Sequence, residues 1–270
     1  MVTQTHKQEL EEQGYFVVEG LLSPQEVAES VAEVEKLHEV ARTVCEADKQ
    51  NFQIEPFVDD AQHNGKLVLR KIEQPYKYSP WFDALARQPK LVAILSELLG
   101  PDLLLFRSTL MLKPAFRGSV HGFHQDTSYW PMHPPHLVTV SIAMTDATPQ
   151  NGCFQVIPDS HKAGTRDISE WGAIARDQDS KLTDRQDIDM SQVIYVPLKA
   201  GSALFFHSAL VHGSGPNKSP NPRNTALYAY FTPDVKYAPT PDQPREAIYN
   251  VVAGMDGQKQ VTFTAEETGV

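Results

Sequence analysis

The sequence predicts a mainly β fold with flanking helices, and three observations carry that reading. From residue 102 onward, apolar runs of strand length recur: Leu103–Leu112, Leu137–Met144, Cys153–Ile157, Val193–Leu198, Ala203–Phe206 and Thr225–Phe231. Between them lie turn-forming clusters such as Pro149–Gly152 and Gly213–Pro222. Residues 1–101 carry helical periodicity instead. Many short strands with turn signals between them predict a sandwich or barrel, with the helix-rich part packed on it. A single domain over 1–270 is expected, its β core spanning 102–252.

Thr5 to Gln13 reads as a short helix closed by Gly14 in a left-handed cap. Tyr15–Glu19 follows as a β-branched and aromatic strand. Ser23-Pro24-Gln25-Glu26 is a capping box with proline at the first helical position. Val27, Val31, Val34, Leu37 and Val40 then mark one apolar helix face running to about Cys45. Ser79-Pro80 opens a second helical stretch through Leu91 to Leu99, and Gly100-Pro101 stops it. The polar stretch 159–190 is expected to be an insertion between strands, partly helical. The Gly- and Gln-rich residues 253–270 are expected to form a loose tail.

Bulk properties exclude several classes. The chain has 41% hydrophobic and 21% charged residues, a balance that fits neither a disordered tail nor a membrane protein. No apolar run approaches the ~18 residues of a spanning helix, so no membrane association is expected. The formal charge is −10 with no basic stripe, so no nucleic-acid partner is expected. Two distant cysteines, Cys45 and Cys153, provide no disulfide framework. The polar start lacks the h-region of a secretory signal, which points to the cytoplasm. Oligomeric state is not written in the sequence.

Seven of the ten histidines fall between 121 and 212. In an extended segment, residues i and i+2 point the same way, so His124 and Asp126 can offer a nitrogen and an oxygen to one centre. A third ligand must come from elsewhere. His212 and His207 both compete for that place, His207 at the end of an apolar strand. Two histidines and one carboxylate on one face of a metal leave the opposite face open, as Fe(II) oxygen chemistry requires. A lone His-x-Asp also recurs by chance on surfaces and in cores. Arg223, just before a strand, can grip a carboxylate bidentately, at about 1.5–3 kcal/mol per charge-assisted bond. Its plain alternative is a turn residue in Asn221-Pro-Arg-Asn224. Ser214, two residues after His212, would aim inward with it. Tyr129, Trp130 and His121 are candidates for a substrate pocket, with His133 and His136 on a proline-rich loop at its mouth. His161 reads as a turn residue. Lys71 and Lys113 read as surface residues whose stems lie along apolar surface.

These segments together resemble the phytanoyl-CoA dioxygenase family of Fe(II)- and 2-oxoglutarate-dependent oxygenases. The likeness runs from Gly14–Gly20 through Leu110-Met-Leu-Lys-Pro114, His124-Gln-Asp126 and Asn151–Lys162. It resumes at Gly201–His207 and His212–Asn217 and ends at Arg223. The resemblance implies a double-stranded β-helix, a jelly-roll, cupin-like core. It implies His124, Asp126 and His212 as iron ligands, against His207. It implies Arg223 and Ser214 on the far carboxylate of 2-oxoglutarate, with Gln125 and Lys71 as further contacts. Phe106 and Ile142 fall where relatives line the cosubstrate pocket.

The activity so implied is hydroxylation, or another oxidation, of an unactivated C–H in a small organic molecule, consuming O₂ and releasing succinate and CO₂. An acid at position 126 argues against halogenation, which needs a small residue there. An acyl-CoA 2-hydroxylase remains the alternative within the family. A zinc hydrolase on the same ligands, or a non-catalytic cupin-like binding protein, are the alternatives outside it.

Overall fold

The computed structural model describes residues 4–56, 62–63, 65–165, 172–173, 183–184 and 188–265. Four helices, α1 (Gln4–Gln13), α2 (Pro24–Thr43), α3 (Pro80–Ala86) and α4 (Pro89–Leu99), lie in the N-terminal part. The strands that build the two main sheets are β1 (Tyr15–Val18), β2 (Phe52–Ile54), β3 (Leu69–Glu73), β4 (Leu103–Lys113), β5 (His121–His124), β6 (Val138–Ala143) and β7 (Phe154–Val156). They continue with β8 (Ile194–Val196), β9 (Ala203–His207), β10 (His212–Ser214), β11 (Arg223–Phe231), β12 (Glu246–Ala253) and β13 (Gln260–Thr264).

The larger sheet runs β1-β9-β6-β11-β4-β12-β13 and is antiparallel throughout. Beyond β11, the other edge of the long β4 is shared: its first half pairs with β12, its second half with β3, which in turn pairs with β2. The smaller sheet runs β8-β7-β10-β5. Two antiparallel sheets face to face form the jelly-roll predicted from the sequence.

Local chemistry explains the helical part. The Ser23 hydroxyl accepts from the Glu26 amide at 3.2 Å while the Glu26 carboxylate accepts from the Ser23 amide at 2.7 Å. This closes the capping box that starts α2. Gly14, at φ +84°, lets the chain turn from α1 into β1. The helix expected over 80–99 is two helices instead. Pro89 has no amide proton to continue the ladder, and the chain restarts at Gln88, whose side chain caps the Leu91 amide at 2.9 Å. Ser79 does not cap α3; its hydroxyl donates to Glu33 of α2.

The pleat divides β11 between two environments. Ala226, Tyr228 and Tyr230 face the helices and share a core with Val34, Leu37, Phe82, Leu91 and Phe205. The two phenols are fully buried and donate to carbonyls near the two ends of α3, Tyr228 to Phe82 at 3.0 Å and Tyr230 to Ala86 at 2.8 Å. Arg223, Leu227 and Ala229 face the smaller sheet and line a cavity there.

Several expectations need correction. The loose tail expected at 253–270 contains β13, paired with β12; the Gly-rich composition hid a strand whose alternate residues are half-buried. Lys113 is buried, not a surface residue, and its ammonium donates to the carbonyls of Ser119 and Gly215 at 2.5 and 2.7 Å. Most of the expected insertion 159–190 lies outside the described residues. Those described form a short turn at Ser160–Ala163 and a two-residue ribbon pairing Gly172–Ala173 with Thr183–Asp184.

Phe205 is fully buried and stacks on Phe16 with ring centroids 4.8 Å apart, joining β9 to β1 beneath the helices. Phe205→Ala should lower the unfolding free energy by about 3–5 kcal/mol, read as a reduced urea midpoint with unchanged slope.

Candidate active site

The site is built where β5 and β10 pair. Their register sets His212 directly opposite His124, so two imidazoles from distant parts of the chain meet on one face, with ring centroids 4.2 Å apart. Asp126 does not belong to β5: the strand ends at His124 and a 3₁₀ turn begins at Asp126. Gln125 between them is nevertheless extended, at φ −119° and ψ 129°. The alternation therefore persists past the ladder, and Asp126 points with His124.

One donor atom from each of His124, Asp126 and His212 lies within 4.8 Å of the others, and all three residues are buried. Asp126 Oδ1 is 3.7 Å from His124 Nε2 and 4.0 Å from His212 Nε2. Both separations are under twice a metal–ligand bond of about 2.1 Å. His124 Nδ1 is 2.8 Å from the Gly122 carbonyl, and His212 Nδ1 is 2.9 Å from the Leu210 carbonyl. A carbonyl only accepts, so each Nδ1 carries the proton and each Nε2 turns a lone pair to the centre. Thr139 donates to Asp126 Oδ2 at 3.0 Å and orients the carboxylate.

The electrostatics suit a cation. Burial pushes the His212 imidazole down to about 4, helped by the neighbouring His124. Burial alone would raise the Asp126 carboxyl, but the adjoining His124, with His212 and Arg107, holds it at about 2. The Asp126 carboxylate and the His212 imidazole therefore carry no added proton at neutral pH and are free to donate lone pairs.

A cavity opens beside this cluster, between the two sheets, with about 600 Å³ of empty space that includes its solvent-open mouth. Lys71, His121, Trp130, Ser214 and Arg223 all line it with the three donors. Arg223 is 2% exposed, with its guanidinium carbon 5.3 Å from the Phe154 ring centre. Burial lowers its pKa only to about 10, so it stays charged. Its Nε has no hydrogen-bond partner. A buried cation without an anion is costly, and here it faces a cavity.

Other sequence candidates lie elsewhere. Gln125 is buried away from the cavity, its amide donating to the carbonyls of Gly164 and Ala209 at 2.8 and 2.7 Å; alternation turns it opposite to its neighbours. Ile142 pairs with Ala226 and packs in the helix-side core, on the far face of the sheet from the cavity. Phe106 packs 4.7 Å from Trp130 rather than lining the cavity itself. Tyr129 meets His124 edge-on at 6.0 Å, outside the lining. His207 ends β9, where its Nδ1 accepts from the Ala209 amide at 3.0 Å, and it takes no part in the cluster. His161 sits in a turn with Nε2 3.1 Å from the Glu11 carbonyl.

Lys71 was expected at the surface as well as at the cosubstrate; it is half-buried, ion-paired with Glu73 and cavity-lining. Sequence reasoning missed Arg107, Thr109 and Thr139. The first two were signalled by the polar run Arg107-Ser108-Thr109, which interrupts the apolar stretch from Leu103 to Leu112.

The comparisons with known proteins fit this arrangement. The family described as Phytanoyl-CoA dioxygenase (PhyH) matches residues 10–225. The chain belongs to the phytanoyl-CoA dioxygenase family. It is a non-haem iron dioxygenase dependent on 2-oxoglutarate and O₂. Among curated relatives, an ectoine dioxygenase of Nocardia farcinica is 31% identical over 80% of this chain and 74% of its own length. A probable alpha-ketoglutarate-dependent hypophosphite dioxygenase of Stutzerimonas stutzeri is 29% identical over 83% of this chain and 76% of its own. Among solved structures, the apo non-heme monooxygenase ThoJ superposes with a TM-score of 0.72 at 25% identity, covering 93% of this chain and 84% of that one. EctD from S. alaskensis, with 2-oxoglutarate and 5-hydroxyectoine, superposes at 0.71 and 22% identity, over 90% and 82%, and supports the fold.

Glu73 gives a pH signature. Burial would raise its carboxyl, but Arg107 and Lys71 hold it at about 2, against an ordinary value of 4.5. A depressed carboxyl stabilises the fold above its unfolded value and loses that contribution as pH falls. Unfolding free energy should therefore drop between pH 4.5 and about 2. Glu73→Gln should flatten part of that drop in urea titrations at stepped pH.

Proposed function

We propose that His124, Asp126 and His212 hold iron(II), and that Arg223 with Ser214 holds the far carboxylate of 2-oxoglutarate. The chain then hydroxylates, or otherwise oxidises, an unactivated C–H of a free small organic molecule. The observation that carries this is the Arg223 guanidinium, buried and charged beside the metal cluster, with an Nε that nothing in the protein satisfies. A dicarboxylate chelating the metal by its oxo-acid end would bring an anion to it, with a hydroxyl at Ser214 to share the load. The donor set of two imidazoles and one carboxylate fits Fe(II) with open positions.

When bound, iron, 2-oxoglutarate and O₂ together supply an oxidising centre that takes hydrogen from the substrate, with succinate and CO₂ released. The protein does the rest. Thr139 and the Gly122 and Leu210 carbonyls fix the three donors, which spares reorganisation when the metal arrives. Phe154, Trp130 and Leu227 keep the cavity apolar and exclude water. A zinc hydrolase would need a carboxylate base beside the metal, whereas Glu73 is already ion-paired to both Lys71 and Arg107.

We take the whole chain as one catalytic domain, since α2–α4 share a core with the larger sheet. We place it in the cytoplasm without a nucleic-acid or membrane partner. The unpaired Cys45 and Cys153 suit a reducing compartment, and among the described residues no helix is long and apolar enough to cross a membrane.

Without O₂, Fe(II) and 2-oxoglutarate should together produce a visible charge-transfer band. Asp126→Ala should abolish the band and 2-oxoglutarate turnover; a variant that keeps both would remove Asp126 from the ligand set. Arg223→Gln should raise the 2-oxoglutarate concentration needed for the band by about 10–100-fold, as expected for losing a charge-assisted pair. Iron retention should be unchanged.

A further inference from the structure

The cavity has a second cationic end that neither the metal nor the cosubstrate uses. Arg107, Thr109 and Met111 line the cavity from alternate positions of β4, and Arg223 lies opposite Lys113 at the end of that strand. Arg107 is thus six residues back along β4, about 20 Å of strand from the Arg223 level. It lines the same cavity as His124, Asp126 and His212.

The Arg107 guanidinium is held by one edge. Its Nε donates to Thr109 Oγ1 at 3.1 Å and its Nη2 to Glu73 Oε1 at 2.9 Å. Thr109 in turn donates to Glu73 Oε2 at 2.9 Å, so the carboxylate, hydroxyl and guanidinium lock together. Nε and Nη2 form the side edge of the fork. The end edge, Nη1 with the second proton of Nη2, donates no hydrogen bond to the described residues. That edge is a planar two-donor fork matched to a carboxylate.

Charge points the same way. Glu73 is shared by Arg107 and Lys71, so two cations face one carboxylate. Burial lowers the Lys71 ammonium only to about 8, which leaves it protonated at neutral pH. Bound iron would be balanced by Asp126 and the chelating carboxylate of 2-oxoglutarate, and Arg223 by the far one. One positive charge stays uncompensated at Arg107 and Lys71. The walls nearby, Trp130, Leu227 and Ala229, are apolar.

We propose that the prime substrate is a small organic carboxylate whose anionic group docks on the end edge of Arg107, with Lys71 alongside and its hydrocarbon part against Trp130 and Leu227. This rests on the cosubstrate occupying the Arg223 end. Arg107 is then the specificity-determining residue, selecting anions over neutral molecules of the same shape.

The test uses matched pairs on the full chain loaded with Fe(II) and saturating 2-oxoglutarate, without O₂: benzoate and benzamide, cyclohexanecarboxylate and its amide, hexanoate and hexanamide. Perturbation of the visible band and the rise in Tm are both followed. At least one carboxylate should saturate at concentrations where its amide changes neither signal. Arg107→Gln should weaken that carboxylate by about 10–100-fold and leave the 2-oxoglutarate titration unaltered. Arg107→Lys, which keeps charge without the fork, should fall between. The proposal is overturned if amides match their acids, if Arg107→Gln binds the acids as before, or if every acid acts only by displacing 2-oxoglutarate and erasing the band. Tighter binding of benzenesulfonate than of benzoate would also overturn the choice of a planar carboxylate. Failure of the band to form at all would instead sink the cosubstrate assignment, and it is read before any acid is added.

Discussion

The pairing of β5 with β10 is the constraint on which the site depends. It brings His212 opposite His124 although 88 residues separate them. Strand side chains alternate, so a one-residue slip would turn one imidazole out of the cavity and break the donor set. The smaller sheet is only four strands wide, and little else fixes that register from within it. The larger sheet behind it, carrying the core shared with the helices, supplies the rigid wall against which the pair is set. Carbonyls at Gly122 and Leu210 then finish the job at the level of single protons.

Electrostatics around the cavity follow from the same geometry. β4 and β11 run side by side, and each inward position deposits its charge at a defined depth. Arg223 sits opposite Lys113 at one end of the pair, and Ala229 sits opposite Arg107 at the other. The metal cluster faces them from the opposing sheet. Positive groups therefore bracket a ligand space in which Asp126 is the only lining carboxylate among the described residues. Such a space attracts anions before any specific contact forms.

Much of this was legible in the sequence, for identifiable reasons. Six apolar runs became strands because their length and turn-rich borders left little choice. The helix cap at Ser23 is a local interaction and was read directly. His124 and Asp126 were recognisable because an extended chain aims i and i+2 together, even though the strand ends between them. The third donor was different: spacing gave His212 only a modest edge over His207, and the family likeness added the rest. What stayed hidden depended on long-range pairing. Gln125 and Ile142 look like site residues by position, yet the pleat turns both away from the cavity. Lys113 looked like a surface lysine because nothing local reveals the carbonyls of Ser119 and Gly215 that receive it.

The split duty of β11 has an evolutionary consequence. Tyr228 and Tyr230 anchor the strand to α3 from behind, while Leu227 and Ala229 meet whatever occupies the chamber in front. Because the two sets never share a face, replacing a front residue leaves the anchoring side chains in place. A scaffold of this kind can exchange one molecular diet for another by a few single changes, without renegotiating its own foldedness.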